Sequence, residues 1–426
     1  MLDINLVRNN SIQLEDMLKA RGILDVNIND LINLDDQRKK ITALIQKLQE
    51  QRNLLAKQRA KQNSEQDFLQ DQKLARKINE DIAQNQEFLA NVTLELNYLM
   101  DRIPNFLEED VPFGTSEQDN KIVSRWGEEK IKSITNKAHH LQIATELGGI
   151  EVNQTVKMSG SRFVSFIGAL AELKRALINF MIDVHTKDFG FCEISPPYIV
   201  KEKAMYNSGQ LPKFDEDSFV TTKGHRLIPT AEVPLVNFVA DKIVALERLP
   251  IRLVSVTPCF RSEAGSAGKD TKGIIRLHQF TKVELVSITD SQSSKEEHNF
   301  LLEAASSILK RLELPHQTVL LCSWDTGFAS QKTYDLEVWM PEEQKYREIS
   351  SCSNCGDFQA RRMNSKYKVN GTNFYLHTLN SSGLAIERTI AALLEHYFFD
   401  NVLHIPNVLQ PYLKGKTIIK CQDILI

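Results

Sequence analysis

Residues 252–287 combine charged and aromatic side chains at a spacing that could serve chemistry. Two strand-like runs rich in Val, Phe and Thr flank a charged loop that contains Gly265, Gly268 and Gly273. Arg261 and Glu263 share a face near the end of the first run. The two-residue period of a strand places on one face of the second run Arg276, His278, Phe280, Lys282 and Glu284. Unpaired charges are costly to desolvate, so these residues form either an exposed hairpin or a ligand site. An aromatic ring among groups that bind phosphate and amine favours a nucleotide site, and the exposed hairpin stays open as the alternative.

Three other segments of the chain are also informative. They are IPTAEVPL at 228–235, REISSCSNCGDFQARRMN at 347–364 and NSSGLAIERTIAALLEHY at 380–397. Together with Arg-Ser-Glu at 261–263 and RLHQFTKVE at 276–284, they closely resemble class II aminoacyl-tRNA synthetases in the form found in seryl-tRNA synthetases. The similarity covers motif 2, the amino-acid-binding stretch, the metal and ATP segment and motif 3. The order and spacing of these segments also fit, and the similarity spans essentially the whole chain.

The resemblance implies amino-acid activation, in which the carboxylate of serine attacks the α-phosphorus of ATP. The nucleophile is already an anion, so the protein must position the reactants and offset negative charge on phosphorus. Arg261 suits this role because a planar guanidinium can bind phosphate and carboxylate oxygens together. The resemblance implies that Glu263 accepts from the adenine amino group and that Phe280 and Arg388 enclose the adenine ring. The full set of ATP-binding residues it implies is Arg261, Ser262, Glu263, Phe280, Glu348, Ile349, Ser350, Ser351 and Arg388.

The resemblance also assigns the serine and metal sites. Its serine-binding residues are Thr230, Ala231, Glu232, Glu284 and Ser382. Glu348 and Ser351 match positions that hold a divalent metal on the phosphates, and their hard oxygen ligands suit Mg²⁺. Cys352 and Cys355 could be interpreted as zinc ligands. A structural zinc site needs about four ligands, however, and no second pair has matching spacing.

Two positions depart from the pattern of bacterial relatives. Ser381 stands where those relatives usually have Gly, and it allows fewer backbone conformations. Glu387 stands where those relatives often have Gly, although Glu-Arg is the wider class II pattern. We expect neither change to remove activity.

The region before these motifs predicts a long helical arm. From Leu31 to Ile103 the chain has no Gly or Pro, and apolar residues recur at three- and four-residue steps on both sides of a polar break at 62–64. Two such limbs predict an antiparallel helical hairpin roughly 45 Å long. From Arg38 to Lys61 there are eight basic residues and one acidic residue. This basic limb suits a phosphate backbone, whereas the pattern alone also fits a dimerisation coiled coil. The resemblance favours tRNA binding, through Lys57, Arg59 and Lys61.

The remaining segments predict the domain organisation. Pro104 begins a Pro/Gly-rich boundary, which gives an N-terminal tRNA-binding domain over 1–104 and a catalytic core over 105–426. Helical periodicity over 168–186, followed by a strand and Pro196-Pro197, resembles motif 1 and implies a homodimer. The expected fold is α+β, with a coiled-coil arm followed by an antiparallel sheet flanked by helices. Adjacent His139 and His140 have no carboxylate or Cys at a useful spacing, which favours surface or packing roles.

Composition narrows the class of protein. The 426-residue chain carries a net charge of −3, so contacts with nucleic acid must use a local basic patch. Its six scattered cysteines favour reduced thiols over a disulfide framework. The first residues lack the plan of a signal peptide, and no apolar run approaches the ~20 residues of a membrane span. These features predict a soluble cytoplasmic protein.

The combined interpretation is an ATP-dependent enzyme that joins L-serine to tRNA(Ser), with tRNA(Sec) as a further candidate substrate. Two alternatives remain. One is an adenylating paralogue that loads a carrier protein, for which the basic arm would be unnecessary. The other is an inactive scaffold or RNA-binding coiled-coil protein, for which the intact charged residues of the predicted site would be unnecessary.

Overall fold

The computed structural model describes residues 1–59, 65–132, 134, 137–263 and 273–421. These residues form two compact units, Met1–Pro104 and Asn105–Ile426. Within the described residues, no helix has the length and apolar character needed to cross a membrane.

The first unit is helical. Its helices are α1 (Ile4–Asn9), α2 (Ser11–Ala20), α3 (Ile28–Arg59) and α4 (Glu65–Met100). α3 begins after Asn27, whose side-chain oxygen accepts from the N–H of Asn29 at 3.0 Å, as a capping residue does. Apolar side chains at helical spacing are buried along the contact between α3 and α4, among them Leu55, Ile78 and Ile82. The predicted antiparallel hairpin is therefore confirmed.

A buried carboxylate links the base of this hairpin to α1. Asp35 has no exposed surface, and its oxygens contact Arg8 at 2.9 Å, Arg38 at 2.7 Å and Lys39 at 2.8 Å. Three cations around one buried carboxylate compensate its desolvation. These contacts hold the base of the arm against α1.

The second unit combines helices with strands. Its helices are α5 (Glu128–Ile131), α6 (His140–Glu146), α7 (Asn153–Ser159), α8 (Gly168–Lys187), α9 (Glu202–Asn207), α10 (Glu232–Val236), α11 (Ser294–Arg311), α12 (Phe358–Met363) and α13 (Ile386–Tyr397). Its strands are β1 (Lys121–Trp126), β2 (Ile150–Glu151), β3 (Ser165–Phe166), β4 (Cys192–Glu193), β5 (Ile199–Lys201), β6 (His225–Leu227), β7 (Ile243–Ala245), β8 (Ile251–Phe260), β9 (Gln279–Thr289), β10 (His316–Leu320), β11 (Lys332–Met340), β12 (Lys345–Asn354), β13 (Lys366–Val369), β14 (Thr372–Tyr375), β15 (His377–Ala385), β16 (Phe398–Phe399), β17 (Val402–His404) and β18 (Ile418–Ile419).

The main sheet is antiparallel except at one edge. Over the described ranges its strand order is β1-β10-β11-β12-β15-β9-β8-β4, and only β4 pairs with its neighbour in parallel. The helices α8, α11 and α13 pack against this sheet and form with it the main apolar core. The predicted antiparallel sheet flanked by helices is confirmed. β1 forms the edge of this sheet beside β10.

β8 and β9 are the two strands of the segment that resembles motif 2. Their bounds differ from those of the predicted strands. β8 ends at Phe260, so Arg261 and Glu263 lie beyond it, and Glu263 has a left-handed backbone with φ 53°. β9 begins at Gln279, so Arg276 and His278 precede it rather than lie on its face. The ladder ends there because the N–H of His278 donates to the carbonyl of Arg162, outside the sheet.

Candidate active site

A cleft of about 480 Å³ opens over the strands β9, β12 and β15 of the second unit. The predicted site residues that line it are Thr230, Glu232, Arg261, Glu263, Phe280, Glu284, Glu348, Ile349, Ser351, Ser382 and Arg388. They come from five separate segments of the chain, which the order of the strands brings to one place.

Some predicted residues lie elsewhere. Ala231 and Ser350 are buried beneath the cleft, where the hydroxyl of Ser350 donates to the carbonyl of Ser382 at 2.5 Å. Ser262 faces away, and its hydroxyl donates to the carbonyl of Glu216 at 2.6 Å. Lys57 is exposed on α3 of the first unit. Arg59 ends that helix, and Lys61 lies outside the described residues.

Arg261 forms one wall of the cleft together with an aromatic ring. Its guanidinium carbon lies 5.2 Å from the centre of the Phe280 ring, a cation–π contact. Its Nε donates to the carbonyl of Pro229 over a long 3.4 Å. The guanidinium therefore remains mostly available to bind an anion in the cleft.

Arg388 and Glu348 form a second charged group. Arg388 donates from Nη1 to the carbonyl of Glu348 at 2.8 Å, and Nη1 also lies 3.3 Å from a carboxylate oxygen of Glu348. Its Nε donates to the carbonyl of Ile275 at 3.1 Å, which ties α13 to the end of the motif 2 loop. Desolvation in the cleft opposes the charge of Glu348, but the guanidiniums of Arg388 and Arg261 outweigh it and hold the pKa of Glu348 below its usual value.

Two buried carboxylates also line the cleft. Glu232 is 8% exposed and Glu284 is 1% exposed. Burial raises the pKa of Glu232 to about 7, and the charge of Glu284 adds to this rise. Burial also raises the pKa of Glu284, although Lys282, whose Nζ lies 2.6 Å from Glu284 Oε2, opposes that rise. Such carboxylates are suited to an ammonium or hydroxyl partner, which would satisfy them inside the protein.

The chemistry of the donors near Glu348 tests the predicted metal site. Glu348 and Ser351 both line the cleft and supply a carboxylate and a hydroxyl oxygen. Among the described residues, no three His, Cys, Asp or Glu side chains cluster closely enough to hold a metal by themselves. Mg²⁺ is usually bound by one or two carboxylates together with water and substrate phosphates, so this donor set fits it.

The two neighbouring cysteines have separate, buried environments. Cys352 donates to the carbonyl of His298 at 3.7 Å, and Cys355 accepts from Asn380 Nδ2 at 3.6 Å. Burial raises the pKa of Cys352 to about 12 and also raises that of Cys355. Both thiols are therefore protonated near neutral pH, which makes them poor nucleophiles.

The sequence did not identify some residues at the cleft as site residues. Asn380 and Glu387 line it, and Gln359 lies behind it, donating from Nε2 to Glu232 at 2.6 Å. The signal for Gln359 would have been a polar residue on the apolar face of a short helix. That signal does not name its partner, because Glu232 is 127 residues away.

A buried histidine holds the end of the motif 2 loop. His140 accepts at Nε2 from the N–H of Ile274 at 3.3 Å, so its proton lies on Nδ1, 2.7 Å from a carboxylate oxygen of Glu395. His139 instead caps α6 by accepting from the N–H of Leu141. Sequence spacing offered no carboxylate for this pair, and the fold supplies one from 255 residues away.

Glu387 has a structural role that predicts the effect of its loss. One carboxylate oxygen accepts from Lys174 Nζ at 2.7 Å and the other from the N–H of Thr281 at 2.8 Å, and Glu387 is 3% exposed. In Glu387→Ala the N–H of Thr281 loses its acceptor, which typically costs about 1–3 kcal/mol when the group is buried. We expect a lower denaturation midpoint in urea. Glu387→Gln keeps an acceptor for Thr281 and should lose less, and equal losses in the two variants would contradict this role.

Comparison with known proteins gives consistent matches to both units. The family model for the seryl-tRNA synthetase N-terminal domain matches residues 1–107, and that for the tRNA synthetase class II core domain (G, H, P, S and T) matches residues 220–397. The chain is 51% identical over 420 residues to the serine--tRNA ligase of Rickettsia prowazekii. This aligned region covers 97% of this chain and 98% of that protein.

Two solved structures are also similar. The seryl-tRNA synthetase from Pyrococcus horikoshii complexed with ATP has a TM-score of 0.91 at 33% identity, covering 99% of this chain and 100% of that one. The cytoplasmic serine-tRNA ligase from Naegleria fowleri in complex with AMP has a TM-score of 0.86 at 29% identity, covering 99% of each chain.

Proposed function

Because the chain belongs to the seryl-tRNA synthetase family of class II aminoacyl-tRNA synthetases, we propose that it activates L-serine with ATP and transfers serine to tRNA(Ser). The observation that carries this proposal is the presence of both kinds of charge in one cleft. Cationic Arg261 and Arg388 line the cleft and would bind the nucleotide, and buried Glu232 and Glu284 line it and would bind the amino acid. An adenylate needs both, since it joins a phosphate to an amino acid.

Positioning and charge compensation account for the activation step. The serine carboxylate attacks the α-phosphorus of ATP and pyrophosphate leaves, so negative charge builds up on the phosphorus oxygens. Arg261 would bind the α-phosphate and the attacking carboxylate together, in the fork geometry that a guanidinium provides. Phe280 gives the adenine ring a stacking surface, Arg388 encloses the other side, and Glu263 accepts from the adenine amino group.

Glu232, with Thr230 beside it, would receive the α-ammonium group of serine. Glu284 and Ser382 would hydrogen-bond the side-chain hydroxyl of serine. A pocket with buried polar groups rejects alanine, because alanine would leave those groups without partners. At the phosphates, Glu348 and Ser351 would hold Mg²⁺, which when bound neutralises phosphate charge.

The proposal assigns functions to both units. Residues 1–104 form the tRNA-binding domain, in which the basic limb of α3 contacts the phosphate backbone through Lys57, Arg59 and Lys61. Residues 105–426 form the catalytic core, which would form a homodimer through α8 and the strand that follows it. The enzyme would work in the cytoplasm with its tRNA substrates, and tRNA(Sec) would be a further substrate.

Serine-dependent exchange of pyrophosphate into ATP tests the first step, and charging of purified tRNA(Ser) and tRNA(Sec) with labelled serine tests the second. We expect exchange with serine but not with alanine, and transfer to tRNA(Ser). Exchange without transfer to any tRNA would favour the carrier-protein alternative. The absence of both reactions would contradict the proposal.

Glu284 allows a direct test of serine recognition. We expect Glu284→Ala to raise the serine KM by about 10²-fold or more and to reduce the preference for serine over alanine, because the partner of the serine hydroxyl is lost. The ATP KM should change much less. Pyrophosphate exchange at varied serine, alanine and ATP measures all three.

The control separates recognition from stability. Removing Glu284 leaves buried Lys282 without its ion-pair partner, which can itself destabilise the fold. Glu284→Gln also removes the charge next to Lys282 but retains an oxygen that can accept from the hydroxyl. It should therefore keep more serine activity than Glu284→Ala at similar stability. An unchanged serine KM and an unchanged preference in Glu284→Ala would place the pocket elsewhere.

A further inference from the structure

Gln359 is a fully buried amide with a single hydrogen-bonded orientation. It belongs to α12, and its Nε2 donates to Glu232 Oε1 at 2.6 Å and to the carbonyl of Ser208 at 2.8 Å. Its Oε1 accepts from the hydroxyl of Thr378 at 2.7 Å. Since a backbone carbonyl can only accept, Ser208 determines which end of the amide carries the protons. One N–H of Gln359 is therefore directed at Glu232.

The bonds from the protein to Glu232 reach only one side of its carboxylate. Asn380 Nδ2 also donates to Oε1, at 3.1 Å. Across the described part of the chain, no hydrogen bond ends on Oε2 of Glu232. The carboxylate is thus anchored through one oxygen and presents the other to the cleft.

From this geometry we propose that Gln359 is a positioning residue for the amino-acid substrate, which orients Glu232 so that Oε2 meets the α-ammonium group. This inference rests on the proposed function, in which Glu232 binds serine. Gln359 acts through Glu232, since it lies behind the cleft wall and is not among the residues that line the cleft.

The charge balance around Glu232 gives this role a signature in pH. The groups that face Glu232 are Glu284 and Lys282 from β9, Arg261 after β8, the buried thiol of Cys355 after β12, and the polar side chains of Gln359 and Asn380. Burial and Glu284 raise the pKa of Glu232, whereas Gln359, Lys282 and Arg261 oppose the rise. The ionised carboxylate binds an ammonium group, so kcat/KM for serine should increase as pH rises through this pKa. Loss of the Gln359 donor would raise the pKa and move that increase to higher pH.

Gln359→Met in the full chain tests the proposal, because methionine has similar length and no donor. We expect kcat/KM for serine to fall about 10- to 100-fold at neutral pH, as for the loss of a hydrogen bond to a charged group. The ATP KM should stay within about twofold, and the deficit should shrink at higher pH. Serine-dependent pyrophosphate exchange at several pH values provides each readout.

Gln410→Met serves as the matched control. The amide of Gln410 also donates two hydrogen bonds, to the carbonyl of Ile405 at 3.1 Å and to Asn407 Oδ1 at 3.0 Å, and Gln410 does not line the cleft. Its replacement should leave the serine kcat/KM and its pH dependence unchanged. A purely structural effect of Gln359→Met would instead lower kcat/KM for serine and for ATP alike, with no shift in pH dependence. That result would overturn the proposal.

Thr378→Val provides a second variant in case Gln359→Met fails to fold. It removes the hydroxyl that holds Oε1 of Gln359 and preserves the side-chain volume. We expect a smaller rise in serine KM, with the ATP KM unchanged, and an unaltered serine KM would contradict the proposal. The wild-type enzyme separates the two levels of inference. If it shows no serine-dependent exchange, the proposed function fails, whereas normal wild-type exchange with unaffected variants refutes only the role of Gln359.

Discussion

Replacing Arg261 with alanine is expected to lower serine-dependent pyrophosphate exchange by about 10²–10³-fold or more. Loss of one group that stabilises charge in the transition state typically has an effect of this size, and Arg261 would contact both reactants. The fold should survive, because Arg261 is half-buried and its side-chain hydrogen bond, to the carbonyl of Pro229, is long at 3.4 Å. Exchange at saturating serine and ATP measures the effect on kcat.

Two further variants test the reason for this effect. Arg261→Lys keeps the charge but loses the forked geometry, so it should recover only part of the activity. Arg125→Ala removes an arginine at the edge of the same sheet, where Arg125 pairs with Glu128 at 3.0 Å, and it should leave exchange unchanged. Exchange in Arg261→Ala within threefold of the wild type would refute the assigned role of Arg261.

Removal of the outer part of the arm is expected to abolish transfer of serine to tRNA and to leave pyrophosphate exchange near normal. Deleting residues 44–84 and joining the helices with a short Gly-Ser turn removes five of the eight basic residues between Arg38 and Lys61. The cut keeps Asp35, whose contacts with Arg8 and Arg38 fix the base of the arm. Every residue that lines the cleft belongs to the second unit, so the activation step should not need the arm.

A milder variant tests the charge of the arm rather than its length. Neutralising Lys57, Arg59 and Lys61 should weaken tRNA binding and flatten its dependence on salt, since each lost phosphate contact removes roughly 0.7–0.9 from the log–log slope. The matched control neutralises three basic residues on the other limb, Lys73, Arg76 and Lys77, and should have a smaller effect. Normal charging of tRNA by the truncated protein would show that the arm serves another purpose, such as dimerisation. Loss of exchange together with transfer would contradict the independence of the two units.

Local patterns in the sequence were enough to predict the main elements. The three- and four-residue spacing of apolar side chains predicted the limbs that became α3 and α4, because helical periodicity depends only on neighbours along the chain. The motifs predicted which residue types meet in the cleft, and Arg261, Glu232 and Glu348 all line it. The predicted ends of the motif 2 strands were wrong. The start of β9 depends on the N–H of His278, which donates to the carbonyl of Arg162, far from the strand in sequence.

Only the tertiary structure decided which groups support these residues. Gln359 reaches Glu232 across 127 residues, Glu387 reaches Thr281 across 106, and His140 pairs with Glu395 across 255. Such pairs depend on the order of strands in the sheet and on the packing of helices against it, which no local periodicity encodes. The sequence therefore determined the chemical groups of the site and the family of the chain. The fold determined their orientation and charge, because burial and hydrogen bonds from distant segments control both.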